Sequence, residues 1–201
     1  MANLLTTWEP FECSQETIQE SKASNGGKLI LKGILQKADT VNQNGRIYPR
    51  EILEREVRNY QKFIIENRST GELDHPADSI ISLKNVSHIV RKAYFDGDVV
   101  KGEVEILSTP SGKILESLVE SKVKLGISSR GVGSTRREGD YVIVQEDFQL
   151  ICWDFVSEPS TPGAFMLAEG VRLNSENNLH SIFNKSDRIF RIANDILSLK
   201  K

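Results

Sequence analysis

Cysteine is nearly absent from this 201-residue chain, which carries only Cys13 and Cys152. Two thiols cannot build a disulfide framework, so a reducing cytoplasm is the expected compartment. No run approaches the roughly 18 apolar residues of a membrane span. The opening residues, MANLLTTWEP, have neither a basic n-region nor a long apolar stretch, so no secretory signal is expected. Charge of one sign is not in excess either. With 26 Lys and Arg against 28 Asp and Glu, the net charge is −2. That argues against broad binding to nucleic acid or to an acidic membrane surface. Histidine is scarce, with only His75, His88 and His180, and neither H-E-x-x-H nor C-x-x-C occurs. Asp74, His75 and Asp78 are the best grouping a metal could use, so metal hydrolysis is the weaker reading and no cofactor is expected. Lack of G-x-S-x-G disfavours an α/β-hydrolase. There is no internal repeat and no low-complexity tract.

What is present suits a single domain with tails. Residues 1 to 27 are mixed and polar and end in Ser24-Asn25-Gly26-Gly27, which reads as an arm or linker. Lys28 to Gln36 (KLILKGILQ) reads as a buried strand and Asn42 to Gly45 as a turn. Pro49 opens a helix over about 49–66, because Leu53, Val57, Tyr60 and Ile64 fall on one face. A hairpin is expected over 85–107, turning at Asp96-Gly97-Asp98, and a second over 133–152, turning at Glu138-Gly139-Asp140. Between them, 110–120 reads as a short helix with Ile114, Leu115 and Leu118 on one side. The class is α+β, strand-rich and antiparallel, with two or three helices. Ile182, Ile189 and Ile196, with Phe183, Phe190 and Leu197, recur every seven residues and predict a C-terminal amphipathic helix.

Three segments combine reactive side chains with glycine or proline: Gly71 to Pro76 (GELDHP), Leu125 to Gly133 (LGISSRGVG) and Trp153 to Ser160 (WDFVSEPS). Alone, each is weak. A serine beside glycine is ordinarily a turn, and a lone histidine is ordinarily structural. Asp154 in an apolar strand needs hydrogen-bond partners, or its burial costs several kcal/mol on rough estimates. Together the segments supply the parts of a serine hydrolase. A serine hydroxyl needs a base to take its proton, and histidine suits that role. A third group must orient the imidazole, and glycines let backbone N–H groups reach an oxyanion. Arg130, Arg136 and Arg137 form the one tight basic cluster, either a solvated hairpin rim or a support for an anion.

At these residues the sequence resembles the prohead core protein proteases of contractile-tailed bacteriophages. The matching stretches are Val41 to Pro49, Gly71 to Pro76, Gly126 to Ser134 and Phe148 to Ser160. Their order and spacing match too, across about residues 28 to 166. The resemblance implies a serine endopeptidase inside the immature capsid that cleaves scaffold, internal and shell proteins and then itself. It implies an antiparallel β-barrel flanked by helices, similar to herpesvirus assemblin.

By motif, His75 would be the general base and Ser128 the nucleophile, with Ser129 the neighbour to distinguish from it. Asp154 stands at the place of the third member, with His88 as the alternative. Arg130 and Gly131 would support the oxyanion. The family's preference is for cleavage after glutamate, with an aliphatic residue two positions earlier. Glu20 and Glu169 then become candidate self-cleavage sites, while the matches at Glu116 and Glu120 fall in a predicted helix. The expected organisation is an N-terminal arm or pro-segment over 1–27, a protease domain over 28–169 and a tail over 170–201. Partners would be prohead scaffold and shell proteins, with a homo-oligomer to be considered. The location would be the prohead interior and the host cytoplasm. The competing reading is a non-catalytic scaffold or capsid-interaction protein on the same fold.

Overall fold

The computed structural model describes residues 15–76, 79–164 and 166–168. The helix expected over 170–201 lies outside the described residues. Among the described residues, ten strands and three helices follow one another. They are α1 (Gln15–Ser24), β1 (Ile30–Lys37), β2 (Arg46–Ile47), α2 (Arg50–Ile65), β3 (Thr70–Glu72), β4 (Val86–Asp96), β5 (Val99–Ile106), α3 (Pro110–Glu120), β6 (Gly126–Val132), β7 (Thr135–Glu138), β8 (Tyr141–Val144), β9 (Gln149–Val156) and β10 (Met166–Ala168). No described helix is long and apolar enough to cross a membrane.

The strands form three sheets. The largest has the order β10-β1-β5-β4-β3, the second β2-β8-β7, and the third is the ribbon β6-β9. The described strands do not make the expected closed barrel. Ladder pairing stops where β3, only three residues long, turns away at Asp74 (φ 66°). The ribbon then meets the large sheet through isolated contacts. Asp74 N–H donates to Phe155 O at 2.8 Å, Leu73 bridges Phe155, and Ile127 N–H donates to Ala164 O at 2.8 Å.

Local chemistry explains most elements. In α2, Leu53, Val57 and Tyr60 are buried as their spacing requires. Tyr60 packs edge-on against Trp153 of β9, with centroids 4.7 Å apart. The hairpin β4–β5 closes on Gly97 (φ 60°), as expected. On α3 the buried positions are Gly112, Leu115 and Val119, whereas Ile114 is exposed. The inward stripe is thus displaced from the one the sequence suggests, because Gly112 packs against the Leu107 carbonyl. The second hairpin is shorter than expected. It runs only from Thr135 to Val144, and β9 pairs with β6 instead.

The arm reading also needs correction, since part of it is a docked helix. In α1, Ile18 is buried, Ser21 Oγ bonds the Ile30 backbone, and Lys22 pairs with Glu116 at 2.6 Å. With one large apolar residue in this helix, no periodicity could show it.

Candidate active site

Register in the β6–β9 ribbon decides which side chains meet. Ser128 lies opposite Asp154, Ser129 opposite Trp153, and Arg130 opposite Cys152. Side chains alternate along a strand, and directly paired residues share a face. Ser128, Arg130, Cys152 and Asp154 therefore lie on one face. Ser129 lies on the other, with the fully buried Trp153 and Phe155. The two adjacent serines, indistinguishable by local composition, are separated by the pleat.

Asp154 is the hub. Its Oδ2 accepts from His75 Nδ1 at 2.8 Å and from Arg130 Nε at 2.8 Å. Its Oδ1 accepts the Glu72 backbone N–H at 2.9 Å, Arg130 Nη2 at 3.3 Å and the Cys152 thiol at 3.2 Å. The carboxylate is wholly buried. Burial alone would raise its pKa, but the bonds from His75, the Glu72 N–H and Arg130 outweigh burial and hold it below the usual carboxylate range. Asp154 is therefore ionised and can only accept, so His75 Nδ1 carries the proton of the bond between them. That leaves the Nε2 lone pair available as a base. Burial also pushes the Cys152 thiol well above its ordinary pKa, so it stays protonated and donates.

In the sequence Glu72 is only one letter of the GELDHP motif, and the structure gives it partners. This buried carboxylate pairs through Oε2 with Arg130 Nη2. Through Oε1 it accepts the Ser82 N–H at 2.9 Å. One glutamate thus ties β3, the Arg130 guanidinium and the loop after His75 together. A carboxylate within a strand beside glycine was the available signal, though nothing in the sequence reveals its partner.

The two residues expected to support an oxyanion have structural partners of their own. Arg130 bonds Asp154 through Nε and Glu72 through Nη2. Its N–H points toward β9, because antiparallel ladders alternate and Ile127 N–H already points away. Gly131 is bare because a Cβ there would come within 2.5 Å of the Phe148 ring.

Ser128 is 3% exposed, and its Oγ lies 3.0 Å from Ser160 Oγ. Among the described residues no hydrogen bond joins Ser128 to His75. His75 itself is partly exposed, and among the described residues its hydrogen bond is at Nδ1. Apo active sites often show this looseness and tighten around substrate. Of the other candidates, Asp74 is exposed, Glu20 lies in α1, and Glu169 and Asp78 lie outside the described residues.

His88, the alternative third member, is fully buried against Trp153 and Phe155, the neighbours of Asp154 in β9. Its Nε2–H donates to Trp153 O at 2.9 Å, and its Nδ1 accepts from Ser87 Oγ at 2.8 Å. Gly71 must lack a side chain beside it, since a Cβ would lie 2.4 Å from His88 Nε2. Burial lowers the His88 pKa to about 4. Because the folded value lies below the unfolded value of about 6.5, the unfolded chain takes up the proton first. Stability is therefore complete above the unfolded pKa and falls on acidification toward the folded one. Acidification from neutrality to about pH 4.5 should cost roughly 2 to 3 kcal/mol through this ring alone. Urea midpoints for wild type and His88→Asn at the two pH values check this, since the variant should lose that share of the dependence.

The sequence matches the family described as prohead core protein serine protease over residues 10–176. It is 32% identical over 144 residues to the prohead core protein protease of Enterobacteria phage T4, covering 69% of this chain and 68% of that protein. Among solved structures, it is similar to the capsid assembly protease of bacteriophage T4. The TM-score is 0.63 at 25% identity, with 79% of this chain and 92% of the other covered. On sequence and fold together, the chain belongs to the prohead core protein serine protease family.

Proposed function

We propose that this chain is a serine endopeptidase of the phage prohead, with Ser128 as nucleophile, His75 as general base and Asp154 as the group that orients the imidazole. The observation that carries the proposal is the buried, ionised Asp154 bonded to a partly exposed His75 Nδ1, opposite Ser128 in the ribbon. A non-catalytic scaffold has no use for a deeply anchored carboxylate that fixes the tautomer of a solvent-facing ring.

The reaction follows the usual acyl-transfer course. Ser128 Oγ attacks the scissile carbonyl carbon as His75 Nε2 takes its proton. The carbonyl electron pair moves onto oxygen. His75 then gives the proton to the leaving amine as the C–N bond breaks. Water, deprotonated by the same nitrogen, attacks the acyl carbon, and His75 returns that proton to Ser128 Oγ as the ester bond breaks. Asp154 stays ionised throughout, and Arg130 and Glu72 hold it in place.

The substrates proposed are prohead scaffold, internal and shell proteins, cut after glutamate, in the prohead interior. Relationship to the assemblin fold is part of this reading. So is self-processing, with arm and tail removed at Glu20 and Glu169. Glu20 lies within α1, so cutting there requires local unfolding of the helix. Incubation of the purified chain followed by intact-mass measurement tests the specificity. New termini should follow glutamate, and a paired peptide with Gln in place of that Glu should resist. Cuts with no glutamate preference, or none in a glutamyl peptide, would remove the specificity from the proposal.

A further inference from the structure

We infer that Ser160 is a second serine of the active site, whose hydroxyl donates to the oxyanion formed when Ser128 attacks. The inference rests on the hydrolase reading above. Its starting point is the 3.0 Å contact between the two Oγ atoms, which is the hydrogen bond that Ser128 Oγ makes among the described residues.

Ser160 is held from several sides. Gln43 N–H donates to its carbonyl at 2.8 Å. Gln43 itself belongs to a turn in which Asn42 Oδ1 accepts the N–H groups of Asn44 and Arg46, each at 2.9 Å, and Gly45 takes φ 69°. Pro159 packs on Gly126, where a Cβ would lie 2.3 Å from the proline ring. Beyond Ser160, Ala164 N–H donates to Thr161 O, and Ala164 O accepts the Ile127 N–H. The loop thus brackets the start of β6, the strand that carries Ser128. The Asn42–Gly45 turn, one of the stretches singled out in the sequence, acquires a use: it fixes the carbonyl of the residue beside the nucleophile.

The chemistry follows from proton counting. Either hydroxyl can donate in the resting bond. Once Ser128 passes its proton to His75, Ser128 Oγ can only accept, so Ser160 O–H becomes the donor. When the C–O bond forms, negative charge develops on the carbonyl oxygen, attached to the same carbon as Ser128 Oγ. A hydroxyl already within hydrogen-bond distance of Oγ needs only a rotation to reach it. Ser160 keeps its own proton throughout. With Arg130 Nε and Nη2 bonded to Asp154 and Glu72, a hydroxyl beside Oγ supplies a donor that these two nitrogens do not.

Ser160→Ala and Ser160→Thr in the full chain test the inference. The probes are a glutamyl para-nitroanilide peptide and the matching peptidyl boronic acid. Loss of one oxyanion donor should lower kcat by about 10²-fold in S160A, with KM within about threefold of wild type. Boronate binding should weaken by the same factor as kcat/KM falls, and S160T should recover most of the loss. An unchanged or faster S160A overturns the inference, as does a loss expressed only in KM or shared in full by S160T. Wild-type turnover with S160A unimpaired sinks this inference alone. An inert wild-type chain sinks the hydrolase reading and takes the inference with it.

Discussion

Ser128→Ala is expected to lower kcat for a glutamyl peptide by about a million-fold while leaving the fold intact. The size of the effect reflects removal of the covalent route, leaving only binding and oxyanion stabilisation. The fold should tolerate the change. The alanine deletes one hydroxyl and its bond to Ser160, a contribution of about 0.5 to 1.5 kcal/mol, and leaves the β6–β9 ladder untouched. Ser129→Ala is the informative companion. Ser129 faces the Trp153 side of the ribbon, away from Asp154, and its loss should change kcat little. Rates for both variants, with urea midpoints beside them, check the assignment. Near-normal turnover in S128A, or collapse confined to S129A, contradicts it.

Asp154→Asn should lower kcat by roughly 10⁴-fold. An asparagine amide can present N–H to His75 Nδ1, which favours the wrong tautomer and leaves Nε2 carrying a proton in place of the lone pair the reaction needs. Here the variant should also lose stability. Asp154 neutralises Arg130 in a site with almost no exposure, and Glu72 alone remains to do so. Breaking a buried pair costs about 3 to 5 kcal/mol, less whatever Glu72 retains. Asp74→Asn, adjacent to the histidine but exposed and outside the network, should show neither loss. Thermal melting and kcat measured on both variants separate the two carboxylates. Equal effects would mean that sequence adjacency, not the buried bond, selects the partner of His75.

Much of this site was legible in the sequence because its parts lie at element boundaries that glycine and proline mark. Pro49, the 42–45 turn and the two hairpin tips behaved as turn and helix-start chemistry requires. The pairing of His75 with Asp154, 79 residues apart, came from motif resemblance. No local rule brings β3 beside β9. What stayed hidden was register and long-range charge. Nothing in LGISSRGVG says which serine faces the carboxylate, because that depends on the partner strand. Nor does the sequence say that Arg130 turns inward to Glu72 and Asp154. The barrel expected from the resemblance did not close among the described strands, because pairing ends after three residues of β3. Helix α1 escaped notice because its burial rests on Ile18 and a serine, too little for a periodic signal.

The most direct test is to treat the wild-type chain with a fluorophosphonate and map the adduct by peptide mass. Such reagents report a serine whose hydroxyl is activated by a neighbouring base. One phosphonyl group should be found on Ser128, and none on Ser129 or Ser160. Labelling should vanish in S128A and slow strongly in Asp154→Asn. An adduct on another serine, or an unlabelled wild-type chain, would contradict the arrangement of Ser128, His75 and Asp154 proposed for this protease.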